Sequence, residues 1–156
     1  MPFSPSTQKG IVMPNWCNNT LAIYGTVEDV TRFKAKAVGH SPWHKDQKEN
    51  VLNFHSLVPI PPDVLSAGYD SAGYGWETAN WGCKWGACHS ELMDEWEGHL
   101  EYRFDTAWSP PLAFLTTLAP QWPTLIFLLD YEEMGMGFKG ITKVSGDSVE
   151  DHCLML

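Results

Sequence analysis

The stretch that decides the fold is WCNNTLAIYGTVEDVTRFKAKAVG, residues 16–39. Apolar side chains alternate between two faces ahead of Gly25, which predicts a first strand that ends at this glycine. After Thr26, a capping residue, apolar positions recur at helical spacing until Gly39. This second pattern predicts a helix over residues 27–38. A strand followed directly by a helix is the first half of a βαβ unit.

The remainder of the chain repeats this pattern of strands and helices. Ser109 caps a second predicted helix, residues 110–118, which begins with a proline. The run TLIFLLDYEE is continuously apolar at its start, which favours a central strand covered on both faces. The further predicted strands are VLNFHSLVP (51–59), HLEYRFDTAW (99–108), TLIFLLDYEE (124–133) and GFKGITKVSG (137–146).

This order of elements predicts an α+β protein with a ferredoxin-like split βαβ sheet. Both helices should lie on one face, with an extra C-terminal strand and an insertion rich in Trp and Gly. We expect a disordered tail over residues 1–12, one ferredoxin-like domain over 13–145 and a C-terminal tail over 146–156.

Composition limits the classes of function. The chain has 156 residues, eight Trp and a formal net charge of −9. The chain has only 10 Lys and Arg residues, which disfavours binding to a nucleic-acid backbone, whereas basic protein surfaces are suitable partners. The sequence shows neither an apolar run of membrane length nor a signal peptide, so we expect a cytoplasmic protein without membrane attachment. Four cysteines are too few for a disulfide scaffold, and reduced thiols are expected.

The insertion contains TANWGCKWGACH, residues 78–89, in which Trp81 and Trp85 are each followed by glycine. The indoles either clamp the insertion onto the core or line a ligand platform, and the clamp is the favoured interpretation. The candidate binding residues, in this segment and at aromatic or acidic positions elsewhere, are Asn80, Trp81, Lys84, Trp85, Asp105, Trp108, Tyr131, Glu132 and Glu133.

Three of these residues are carboxylates, and two carboxylates can perform acid–base chemistry when their surroundings separate their pKa values. Glu132 and Glu133 are neighbours on a predicted strand and must point to opposite faces, so only one can share a pocket with Asp105. We assign no catalytic residue, because no nucleophile and base fall together.

Cys83, Cys88 and His89 form a C-x₄-C-H pattern that lacks the second ligand pair of a structural zinc site. We therefore expect no metal and no cofactor.

Five motifs resemble the ferredoxin-like domain of plasmid YubB and phage Api92-like proteins, a domain of unknown function, over residues 13–144. They are MPNWCNNTLAIYG (13–25), NFHSLVPIPP (53–62), NWGCKWGA (80–87), FDTAWSPP (104–111) and YEEMGMGFKG (131–140). The resemblance implies a ferredoxin-like fold and an origin on a bacterial mobile element. It implies no chemistry, and the stretch around Cys83 departs from the family pattern, which disfavours a shared metal site.

Two functions are therefore considered. The first is a non-enzymatic, acidic binding protein of a phage or plasmid, which engages a basic host protein in the cytoplasm to counter a defence system such as CRISPR. The alternative is a small-ligand-binding protein or enzyme that uses a Trp-lined hollow with Asp105 and Glu132 or Glu133. An open acidic face would favour the first function, and a closed pocket with convergent carboxylates would favour the second.

Overall fold

The structure is a computed structural model that describes residues 14–156, so the tail predicted for residues 1–12 lies outside the described residues. Its strands are β1 (Trp16–Tyr24), β2 (Cys88–Trp96), β3 (His99–Ala107), β4 (Ile126–Glu133), β5 (Phe138–Ser145) and β6 (Ser148–Met155). Its α-helices are α1 (Val27–Ala37), α2 (Phe54–Leu57), α3 (Pro62–Ala67), α4 (Tyr74–Asn80) and α5 (Leu112–Leu118). A π-helical turn, Tyr69–Gly73, precedes α4, and a 3₁₀ turn, Ala119–Gln121, follows α5.

The strands form one antiparallel sheet in the order β2-β3-β1-β4-β5-β6. In the first four strands, α1 connects β1 to the β2–β3 hairpin across the insertion, and α5 connects β3 to β4. This is the split βαβ arrangement, so the predicted α+β ferredoxin-like class is confirmed. The predicted extra strand corresponds to β5, and β6 widens the sheet further.

Both crossover helices pack on the same face of the sheet, which we call the inner face. Phe33 of α1 lies edge-on to Phe127 of β4, with 5.7 Å between ring centroids. Phe114 of α5 stacks at 3.8 Å on Phe54 of α2, whose ring in turn contacts Phe104 of β3. These aromatic contacts join the helices and the sheet into one buried core.

The opposite, outer face of the sheet bears mostly exposed or half-buried polar side chains, and the described helices bury their apolar residues elsewhere. Alternation along each strand explains the difference, because successive side chains point to opposite faces. β4 shows this pattern, with Phe127 and Leu129 buried and Asp130 exposed. The prediction that β4 is covered on both faces is therefore wrong.

The strand predicted over residues 51–59 is also wrong, because this segment contains the short helix α2. The Asn53 side chain accepts a hydrogen bond from the backbone N–H of Ser56 at 2.8 Å and so caps the first helical turn. Phe54 and Leu57, which gave the segment its apolar appearance, are three residues apart and both enter the core. A single buried turn has the same apolar composition as a strand of that length.

Both edge strands, β2 and β6, were not predicted from the sequence. β2 has two register shifts along its pairing with β3, which interrupt the alternation expected of a strand. All eight residues of β6 are exposed, so burial leaves no pattern in their sequence. The predicted C-terminal tail, residues 146–156, is thus wrong where β6 pairs with β5.

α1 is the longest α-helix of the described residues, with 11 residues. No helix within residues 14–156 is long and apolar enough to cross a membrane.

Candidate functional site

The insertion of residues 38–87, between α1 and β2, carries the segment in which the sequence placed its two tryptophans. Trp81 is only 3% exposed, and its Nε1–H donates to the backbone carbonyl of Val58 at 3.1 Å. Its ring meets those of Phe54 and Trp76 edge-on, each at 5.6 Å between centroids. Trp81 therefore clamps the insertion onto the core, as the favoured interpretation of this segment expected.

Trp85, four residues later, has a different environment. Its side chain is 44% exposed, and its backbone has a φ of 72°, in the left-handed region that side chains other than glycine rarely adopt. Such a conformation costs about 1–3 kcal/mol and persists only where surrounding contacts enforce it. Here the backbone N–H of Trp85 donates to Oε1 of Glu77 at 2.6 Å. Trp85 is therefore an exposed residue in a strained conformation, unlike the buried Trp81.

Glu77 of α4 is the functional candidate that the sequence analysis missed. It is fully buried, and its Oε2 accepts a 2.8 Å hydrogen bond from Nε1–H of Trp43. None of the salt bridges among residues 14–156 includes Glu77. Burial raises the pKa of its carboxyl, while the hydrogen bonds from Trp85 and Trp43 partly offset the rise. The sequence signal was a lone acid between two tryptophans in WETANW, residues 76–81.

A cavity of about 590 Å³ opens above Glu77, within the volume range of small-ligand sites. Three aromatic residues, Trp43, Tyr69 and Trp85, form part of its lining, together with polar groups that include Asn50 and His89. The hydroxyl of Tyr69 is buried without a hydrogen-bond partner in the described part of the chain. Burial raises the pKa of Tyr69 to about 12, and the nearby Glu77 carboxylate adds to the rise.

His89 connects this cavity to the outer face of the sheet. Its Nδ1 lies 3.0 Å from Oδ2 of Asp105, whose Oδ1 accepts from the Asn18 side chain at 2.7 Å. The ring of Trp16 meets the His89 ring edge-on at 5.2 Å. His89 also has a positive φ, of 53°, so two of the three residues other than glycine with left-handed backbone among residues 14–156 line the cavity. Asp105 thus orients a cavity residue, although it does not line the cavity itself.

The two candidate glutamates at the end of β4 point to opposite faces, as expected. Glu132 and Asp105 both pair with Asn18 across the outer face, so they stand two strand spacings, or about 10 Å, apart. Glu133 is buried and accepts from the backbone N–H groups of Gly135 at 2.8 Å and Met136 at 2.7 Å. Glu133 therefore holds the β4–β5 turn, and the carboxylates do not converge in the aromatic cavity.

Most of the other predicted site residues make contacts within the fold and do not line the cavity. The Asn80 side chain donates to the carbonyl of Trp76 at 2.8 Å, near the C-terminus of α4. Tyr131 is buried, and its hydroxyl donates to Asp151 of β6 at 2.8 Å. Trp108 is 44% exposed but lies outside the cavity lining, as does Lys84, whose Nζ is 4.3 Å from the centroid of the Trp85 ring.

The cysteines near the cavity have buried or half-buried thiols. Burial raises the pKa of Cys88 to about 11, and Cys83 is 2% exposed. Within residues 14–156, no three His, Cys, Asp or Glu side chains are grouped as a metal ion requires. The expectation of no metal stays a prediction.

The fold defines the class of protein as an α+β ferredoxin-like domain in which no helix within residues 14–156 covers the outer face of the sheet. Residues 80–155, just under half of the chain, match the model of the ferredoxin-like domain in Api92-like protein, which confirms the resemblance carried by the motifs. The crystal structure of the protein api92 from Yersinia pseudotuberculosis is similar with a TM-score of 0.73, covering 92% of this chain and 99% of that chain. At 10% identity this similarity shows the fold alone. No curated protein matches the chain.

Proposed function

We propose that this chain is a non-enzymatic binding protein that docks the outer face of its sheet on a basic protein surface. The observation that carries the proposal is the excess of carboxylates on this uncovered face. By register and alternation, its acidic residues are Glu91, Asp94, Glu101, Asp105, Asp130, Glu132 and Glu150, and its Lys and Arg residues are Arg103, Lys139 and Lys143. Complementary charge on a partner would accelerate association and orient it.

An aromatic cluster at one end of the same face adds apolar contact area. Trp96, 59% exposed, stacks on the His99 ring at 4.3 Å, and Tyr24 contacts the other side of this histidine at 4.6 Å. Exposed Trp and Tyr residues are frequent anchors of protein interfaces. The cluster would supply binding energy, and the carboxylates would supply specificity for a basic partner.

The resemblance to plasmid and phage proteins supports a bacterial host protein as the partner, in the cytoplasm of the host cell. Within that proposal, a component of a defence system such as CRISPR is a suitable target, because proteins that bind nucleic acid carry basic surfaces. The excess of acidic residues likewise disfavours direct contact with nucleic acid.

The test compares affinity capture from bacterial host lysate by three proteins. These are the unmodified chain, the outer-face variant Asp130→Lys with Glu132→Lys, and a control with the same change in charge, Asp63→Lys with Asp147→Lys. The four replaced residues have at most partly buried side chains. We expect mass spectrometry to identify a protein retained by the unmodified chain and the control but lost by the outer-face variant.

The captured protein would then be purified and its association measured directly. Reversal of the two outer-face charges should slow association about tenfold at low salt, with a smaller effect as salt rises. Equal association rates for the outer-face variant and the control would refute docking through this face. A captured partner without a basic surface would also refute the proposal.

A further inference from the structure

The cavity above Glu77 adjoins the outer face at His89, but its walls have a chemical character of their own. The rings of Trp43 and Tyr69 stand almost perpendicular, at 79°, with 5.6 Å between their centroids. Trp85 forms a further wall. A flat ligand is best held between parallel rings, whereas a rounded ammonium group can contact rings that meet at a steep angle. The aromatic geometry therefore favours a rounded cationic group.

The charge beneath the cavity has the sign that such a group requires. A smaller cavity of about 30 Å³ is lined by Glu77 and shares Trp43 and Trp85 with the larger one. Glu77 accepts hydrogen bonds from both tryptophans, through the indole N–H of Trp43 and the backbone N–H of Trp85. The indole bond polarises Trp43, and a polarised ring with more negative charge on its face attracts a cation more strongly.

The Trp85 ring already attracts one cation within the protein. Nζ of Lys84 lies 4.3 Å from its centroid, although Lys84 is not part of the cavity lining. Against these features stand two histidines of the lining, His44 and His89, of which His89 is paired with Asp105. Trp43, Tyr69 and Trp85 thus present aromatic faces near the buried Glu77 carboxylate, in a lining that also includes the two imidazoles.

The backbone around the cavity is also held in a costly conformation. Trp85 and His89 both have positive φ values, and residues with strained backbone concentrate at functional sites. The Glu77 carboxylate enforces the conformation of Trp85, because it accepts a hydrogen bond from the backbone N–H of Trp85. A clamp that only sealed the insertion would not require an exposed indole held in this way.

We propose that this cavity binds an organic cation whose alkylated ammonium group contacts the rings of Trp43, Tyr69 and Trp85. The cation is either a free small molecule or the methylated ammonium of a lysine side chain in a peptide, and both offer the same chemistry. The volume of about 590 Å³ exceeds that of a tetraalkylammonium group, so it leaves space for the remainder of the ligand. This proposal does not rest on the outer-face docking proposed above.

The experiment is a calorimetric titration of the protein with choline and with a peptide that contains trimethyllysine. The control ligand is 3,3-dimethylbutanol, which has the shape of choline without its charge. We expect either cation to bind about tenfold more tightly than the neutral alcohol, as a cation–π contribution requires. Preference for choline would assign a free small molecule, and preference for the peptide would assign a protein side chain.

Variants test the location of the site. Trp43→Leu and Glu77→Gln should each weaken cation binding at least about threefold, whereas Trp108→Leu, which replaces an exposed tryptophan outside the cavity lining, should leave it unchanged. Circular dichroism checks that each variant is folded. If Trp43→Leu does not fold, Glu77→Gln tests the location of the site alone, because this replacement nearly preserves the volume of the side chain.

Three results would overturn the proposal. They are equal affinity for the cation and the neutral alcohol, absence of binding by both cations, and unchanged cation affinity in the folded cavity variants. Tight binding of a flat neutral ligand such as adenosine, with no binding of either cation, would instead assign the cavity to another ligand class.

Discussion

Replacement of Trp81 by alanine should destabilise the protein much more than the same replacement of Trp85, although both tryptophans lie in the same short segment. Trp81 is 3% exposed and Trp85 is 44% exposed. A tryptophan that buries about 200 Å² contributes roughly 5 kcal/mol at 25 cal/mol per Å². The exposed fraction reduces this contribution to about 2–3 kcal/mol for Trp85, and alanine retains the backbone strain because it also has a Cβ.

Truncation of Trp81 has a second consequence. Its indole N–H donates to the carbonyl of Val58, which would be left buried without this partner at a cost of about 1–3 kcal/mol. Measured losses for Trp or Phe to Ala in cores are about 3–5 kcal/mol, so we expect Trp81→Ala near the upper end of that range. For Trp85→Ala we expect about 2 kcal/mol.

The assay is differential scanning calorimetry with urea unfolding as a second measurement. For a domain of this size, 1 kcal/mol corresponds to about 2–4 °C in Tm, so the two variants should differ by roughly 6–12 °C. Trp96→Ala, with a side chain 59% exposed, is the matched control and should have the smallest effect. If Trp85→Ala loses as much stability as Trp81→Ala, then Trp85 is a clamp as well, and its assignment as a cavity wall is wrong.

Three further outcomes follow from particular residues. Burial raises the folded-state pKa of Glu77 above its unfolded value, so the folded protein binds more protons than the unfolded chain at pH values between the two. The stability of the unmodified chain should therefore fall relative to that of Glu77→Gln as pH rises from about 4.3 through the folded-state pKa. Urea unfolding at a series of pH values measures this difference. Gly140→Ala should cost about 1–3 kcal/mol, because the added Cβ would meet the tyrosine ring of β4, while Gly75→Ala in α4, with open space around it, should be neutral or stabilising by up to about 1 kcal/mol in the same assay. Iodoacetamide should modify the exposed Cys153 of the native protein rapidly and the buried Cys83 only after unfolding, as peptide mapping would show; rapid native labelling of Cys83 would contradict its burial.

Local sequence patterns were sufficient for the elements whose burial follows a regular period. The strand-to-helix unit of residues 16–39 was predicted because β1 and α1 each bury one face, and Thr26 accepts from the backbone N–H of Asp29 as a cap should. The patterns of β3, β4 and α5 have the same origin. Since periodic burial is a property of each element alone, these elements and the α+β class could be predicted without tertiary contacts, although the predicted sheet included residues 51–59 as a strand and lacked β2.

Where burial is not periodic, the sequence was insufficient. β6 is exposed throughout and depends on backbone hydrogen bonds to β5, while β2 is interrupted by bulges at the other edge of the sheet. The strand predicted for the α2 segment was wrong for a related reason, since one buried turn and one short strand have the same apolar composition. Pairing between strands is a tertiary property, so these elements became visible only in the folded chain.

The candidate sites show the same division. The sequence determined the net charge, the concentration of tryptophans in the insertion, and the rule that Glu132 and Glu133 point to opposite faces. Only the tertiary structure decided that Trp81 is buried and Trp85 exposed, and that Glu77 lies beneath a cavity lined by residues from three separate parts of the insertion and from the start of β2. The physical reason is that exposure, pKa and ligand contact depend on which distant groups meet in space, and neighbours along the chain do not specify these meetings.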